Sequence, residues 1–247
     1  MNTGDTAFMM ICAALVFFMT PGLAFFYGGL VRRKNVCNTI MACVAIMGLS
    51  VVMWTLFGYS LSFGGNHAGI IGDFRWFGLN GVGMEAGPYA DSIPHLVFCA
   101  FQMMFAMITP ALITGSLVGR MKFKALFLFV AIWSVIVYYP MAHMVWGDGG
   151  FLAAIGSVDF AGGDVVHISS GISALVLAII LGRRRGYEHT TYRIHNIPSV
   201  VLGASLLWFG WFGFNAGSAL KADGPLAPAM PRTSAFFISS RMLSGWP

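Results

Sequence analysis

The stretch Asp159-Phe160-Ala161-Gly162-Gly163-Asp164-Val165-Val166-His167 places an imidazole just inside an apolar run that continues to Leu181. A titratable side chain there is costly in hydrocarbon, and by default it marks a pathway or a site. Asp159 and Asp164 stand on the polar shoulder, where a helix entering a membrane favours a carboxylate near its N-terminus. Three further stretches carry candidate chemistry. In the first, Phe101 and Phe105 are four residues apart and share one helix face. The second, Tyr139-Pro140-Met141-Ala142-His143-Met144-Val145-Trp146-Gly147, ends just past a tryptophan. The third, Trp208-Phe209-Gly210-Trp211-Phe212-Gly213-Phe214-Asn215-Ala216-Gly217-Ser218, sets Phe214 about one turn from Ser218.

The elements that must position these residues are membrane spans. The chain is 57% hydrophobic and 9% charged, against about 25% charged for a soluble domain. Six segments can cross a hydrocarbon core, near 7–31, 39–62, 95–118, 125–146, 164–182 and 199–220. The sequence therefore predicts an all-α polytopic bundle. Ten of the fourteen Lys and Arg fall in three clusters, after spans one, three and five: Arg32-Arg33-Lys34, then Arg120, Lys122 and Lys124, then Arg183-Arg184-Arg185 with Arg193. This placement argues against a nucleic-acid partner, despite the net charge of +5. The opposite loops carry Asp73, Glu85, Asp91, Asp148, Asp159 and Asp164. The positive-inside rule then puts the N-terminus outside and the basic loops in the cytoplasm. No basic region precedes the first apolar run, so no cleaved signal peptide is expected. Gly115-xxx-Gly119 and Gly213-xxx-Gly217 predict close helix packing. Pro21 and Pro110 predict kinks within spans one and three. His67 and His95 read as solvated near the outer surface, His189 and His195 as solvated in a basic loop.

Taken together, in this order, these motifs closely resemble the ammonium transporter (Amt/Mep/Rh) family. Thr20-Pro21-Gly22-Leu23-Ala24-Phe25-Phe26-Tyr27-Gly28-Gly29-Leu30, followed by basic residues and Asn35, is similar to that family's first helix. The resemblance covers roughly residues 6–220. It implies an external recruitment site for ammonium at Phe105, Trp146 and Ser218, with Phe101 completing the aromatic lining. It implies a stacked gate of Phe105 and Phe214, and makes His167 the first of two pore histidines. Asp159 becomes a support beneath the recruitment site that orients backbone groups, and Trp211 a pore-side tryptophan. His143 is structural by the same comparison. The implied mechanism is a desolvation filter: ammonium is captured, deprotonated near the gate, and passed as neutral ammonia, since a dry pore penalises any charge. Methylammonium is the expected analogue. No cofactor or metal is expected. A homotrimer in the plasma membrane, contacted by lipid and by a PII-type regulatory protein at the basic face, is likewise implied.

That family has about eleven spans in two inverted halves, and this chain carries a five-helix repeat plus one helix, without the second pore histidine. Residues 221–247 bring Pro225, Pro228, Pro231, Arg232 and Arg241 where the family resumes an apolar helix. The expectation is a divergent tail, from truncation or a shifted frame, and a chain that does not conduct alone. A non-conducting fragment and an ammonium sensor are the alternatives within the family. A membrane-embedded metal or redox enzyme is the alternative outside it; no His pair at i, i+3 or i+4 and no Cys-x-x-Cys supports that reading.

Overall fold

The computed structural model describes residues 1–184, 187 and 192–222. Arg185, His189 and all but the first two residues of the 221–247 segment lie outside the described residues.

Among the described residues, six helices are long and apolar enough to cross a membrane. Helix α1 spans Thr3–Leu30. Helix α2 runs Val36–Met53, through a π turn at Trp54–Gly58, into Tyr59–Phe63. Helix α3 spans His95–Leu117. Helix α4 is Phe123–Trp133, a π turn at Ser134–Tyr138, then Tyr139–Trp146. Helix α5 opens on a π turn at Gly163–Ile168 and continues over Ser169–Leu181. Helix α6 is Ile197–Gly217. Pro21 and Pro110 lie inside α1 and α3. The fold is the expected helical bundle; among the described residues, a small hairpin in the loop after α2, β1 (Ala86–Gly87) and β2 (Ala90–Pro94), leads straight into α3.

Local chemistry sets the helix starts. The Asn2 side chain accepts from the Gly4 and Asp5 amides at 2.8 and 3.2 Å, and Asn196 accepts from the Ser199 amide at 3.1 Å; each satisfies donors that a helix N-terminus leaves open. Helix α3 is the central element, with 72% of its apolar window buried, against 22% for α5 and for α6.

Helices α1 and α6 cross on glycines. A Cβ on Gly22 would stand 2.9 Å from Leu206 Cβ, and one on Gly203 2.7 Å from Phe26 Cα. Gly213 and Gly217 continue that contact along α6, against Cys12, Leu15 and Phe101. The second small-xxx-small pair is thus a helix-packing face. The first is not: Gly115 packs on the Tyr27 ring, but Gly119 lies past the end of α3 in a turn with φ +71°. The sixth span also ends sooner than its hydropathy predicts. The chain turns after Gly217, with the Leu220 amide donating to the Gly217 carbonyl at 2.9 Å, so Ser218 caps the helix rather than lying within it.

His95 corrects another expectation. It is 6% exposed, and its Nε2 lies 2.5 Å from the Tyr59 hydroxyl, edge-on to Trp76. The hairpin turns the first residue of α3 inward, into an aromatic cluster that sequence spacing could not reveal. His67 and His195 are exposed. His143 is fully buried, between the Ser62 carbonyl (Nδ1, 3.1 Å) and Asn66 Oδ1 (Nε2, 3.3 Å).

Candidate functional site

Asp159 organises the site. Its Oδ1 accepts from the Gly162 and Gly163 amides at 2.6 and 2.7 Å, its Oδ2 from the Asp164 and Val165 amides at 2.8 and 3.0 Å. Four donors at the start of α5 converge on one carboxylate, so its charge is spent on the helix end. The bend requires Gly162, which has φ +97° and whose Cβ would lie 2.8 Å from Val166 Cγ2. The Asp159 carbonyl accepts from Trp146 Nε1 at 2.9 Å, which fixes the indole at the end of α4.

A vestibule of about 370 Å³ opens at this end of the bundle. Phe105, Trp146, Asp159 and Ser218 line it. The Ser218 hydroxyl donates to the Phe214 carbonyl at 2.9 Å. Its single proton is therefore committed, and its oxygen offers lone pairs to an incoming donor. The Phe105 ring meets Trp146 edge-on, with centroids 5.8 Å apart.

Beneath the vestibule, Phe105 and Phe214 are each 1% exposed, with ring centroids 4.4 Å apart. Beyond Phe214 comes His167, whose ring lies 5.9 Å from Phe214 and stacks on Trp211 at 5.8 Å. The wide turn Gly163–Ile168 carries His167, and its amide donates to the Gly162 carbonyl at 3.0 Å. Such π turns often mark functional positions. The order along the bundle is thus vestibule, paired phenylalanines, imidazole with indole.

Phe101 is placed differently from the expectation. It is fully buried, edge-on behind Phe105 at 5.0 Å and against Gly217, and is not among the vestibule-lining residues. Its face of α3 turns toward α6, so it backs the Phe105 ring instead of completing the wall. Sequence reasoning missed Gln102, Tyr89 and Phe160, which do line the vestibule. Gln102 adjoins Phe101 in the same motif and was a legible candidate; its Oε1 is buried without a partner among the described residues. Tyr89 comes from the loop before β2, and no sequence signal ties it to Trp146.

His167 is exposed and Trp211 is 38% exposed, on the little-buried face of α5 and α6, so this half-length chain leaves the inner end of the series open. Six apolar helices among the described residues define a multi-pass α-helical membrane protein. A sequence model of the Ammonium Transporter Family matches residues 7–240, and the chain belongs to that family. It is 49% identical over 246 residues to an ammonium transporter of Bacillus subtilis, covering 100% of this chain and 59% of that one. Its fold superposes on the crystal structure of Candida albicans Mep2 with a TM-score of 0.78 and 33% identity, covering 90% of this chain and 50% of that chain. It also matches a structure titled "Sensor Amt Protein" (TM-score 0.79, 30% identity, covering 89% of this chain and 56% of that one). The chain therefore spans little more than half the length of these relatives. The family is a transport family rather than a family of enzymes.

Proposed function

We propose that this chain supplies the recruitment vestibule, the phenylalanine gate and one pore histidine of a protein that moves ammonium across a membrane as ammonia. The observation that carries this reading is the unbroken series from Trp146 and Ser218, through Phe105 on Phe214, to His167. Ammonium has four N–H donors and no acceptor. Ser218 offers it an acceptor, and the Trp146 and Phe105 rings offer aromatic faces worth about 0.5–2 kcal/mol each. The Phe105–Phe214 contact excludes water, so a cation cannot pass at acceptable cost. Ammonium can give its proton to water on the vestibule side of the gate, leaving neutral ammonia to pass; potassium has no proton to give. The neutral molecule then meets the His167 ring nitrogens, which offer hydrogen bonds without fixed charge.

The orientation follows from charge: vestibule and N-terminus outside, basic loops in the cytoplasm of a plasma membrane. A trimer, and a PII-type partner at the basic face, belong to the same proposal and rest on the family resemblance. Saturable uptake of radiolabelled methylammonium into vesicles holding the whole protein of which this chain is a part tests it, this chain by itself being expected not to conduct. Uptake lost in Trp146→Leu and in His167→Ala, with protein levels maintained, is the expected result; uptake indifferent to both substitutions defeats the reading.

A second reading is an ammonium sensor, which the likeness to the sensor Amt structure favours. It predicts ammonium binding at Trp146 without flux, and the same vesicles assayed for binding and uptake separate the two.

A further inference from the structure

We propose that the vestibule is also an aromatic cage that binds quaternary ammonium ions and does not pass them. The inference rests on the recruitment reading above for its inner wall, and extends that site to a ligand class with no N–H group. The space, about 370 Å³, falls within the range that pockets for small organic ligands occupy, about 300–1,000 Å³. An ammonium ion alone leaves most of it empty. Its outer wall is aromatic, from elements distant in sequence. Tyr89 is stacked on Phe98 with centroids 5.2 Å apart and planes 7° from parallel. Its hydroxyl donates to the Phe63 carbonyl at 2.7 Å and accepts from the Asp148 amide at 3.3 Å, so the ring is held from both sides. Phe160, beside Asp159, is 44% exposed and lines the same space. The Trp146 indole is pinned by its bond to the Asp159 carbonyl.

Among the described residues, no lysine or arginine lines the vestibule. Its carboxylate, Asp159, is occupied by four backbone amides. Recognition of a cation here depends on ring faces more than on a counter-ion. A quaternary ammonium ion suits that chemistry better than ammonium does. It needs no acceptor, and its methyl groups make it less costly to take from water, the reason aromatic cages select such ions. It has no proton to release, and the Phe105–Phe214 contact closes the way onward. It therefore stays in the vestibule and competes with ammonium.

The test uses radiolabelled tetramethylammonium with the purified protein in lipid nanodiscs, alongside methylammonium uptake in vesicles. The expected result is saturable binding displaced by ammonium, and competitive inhibition of uptake. Phe160→Leu and Tyr89→Leu are each expected to weaken tetramethylammonium binding by about 3–10-fold, while Tyr89→Phe, which keeps the ring, retains it. Two leucine variants at separate loops guard against one that misfolds. Methylammonium uptake without any saturable tetramethylammonium binding overturns the cage and leaves the transport reading intact. So does binding that neither leucine substitution weakens. Binding that follows the substitutions, when the whole protein of which this chain is a part takes up no methylammonium, supports the cage and defeats the transport reading instead.

Discussion

At the scale of single residues, the site depends on how each polar atom is already committed. Ser218 donates to the Phe214 carbonyl and keeps its lone pairs for the vestibule. Ser218→Ala removes the acceptor without changing the fold, because the residue caps the end of α6 rather than packing within it. Hydrogen bonds to charged groups are worth about 1.5–3 kcal/mol, so apparent affinity for methylammonium should fall by roughly tenfold or more, read from uptake against concentration. Asp159 is a different kind of residue, because nothing it does requires touching the ion. Asp159→Asn turns an NH2 group toward two of the four amides that converge on the carboxylate. The expected cost is about 1–3 kcal/mol for unsatisfied donors, seen as a lowered Tm in detergent, together with weaker uptake as the loosened turn shifts the Asp159 carbonyl that holds Trp146. Both roles were partly legible in sequence. His167 and Asp159 stand out because polar side chains in an apolar run need a reason. Phe101 and Tyr89 do not. Which face of α3 turns toward α6, and which loop folds over the vestibule, are decided by packing between distant segments.

At the scale of elements, the crossing of α1 and α6 sets the distance at which Phe214 and Ser218 stand from Phe105. Helix backbones approach closely in a bilayer only where side chains are small. The Gly22–Gly203 contact is such a place. Gly203→Ala drives a methyl group against the α1 backbone near Phe26; overpacking of this kind costs about 1–3 kcal/mol. The expected outcome is a lowered Tm and reduced uptake, since α6 must retreat and take Phe214 with it. Gly48→Ala is the matched control. It lies within α2 with nothing within 4 Å of the added Cβ, and its Tm should stay at or above that of the parent. The six spans were readable from hydropathy to within a few residues, because the bilayer imposes one length on every helix. The three π turns among the described residues were not. Each shifts the hydrogen-bond register by one residue, through packing that leaves no local pattern. Yet one of them carries His167.

At the scale of the whole molecule, the open question is which end faces the cytoplasm, and the chain carries its own probe. Positive charge gathers at one end, in the loops after α1, α3 and α5, while Asp73, Asp91, Asp148 and Asp159 stand at the other, with the vestibule. Positive residues stay on the cytoplasmic side during insertion, and the orientation proposed above has the vestibule outside on that ground. Of the four cysteines, Cys12, Cys43 and Cys99 are buried, and Cys37 is exposed at the start of α2, three residues beyond Lys34. A membrane-impermeant maleimide should therefore leave the protein unlabelled in intact cells and label one thiol once the membrane is opened, with Cys37→Ser abolishing the signal. Labelling of Cys37 in intact cells would reverse the orientation. The vestibule would then face the cytoplasm, and the aromatic trap proposed to gather ammonium from outside would be on the wrong side of the membrane for that task.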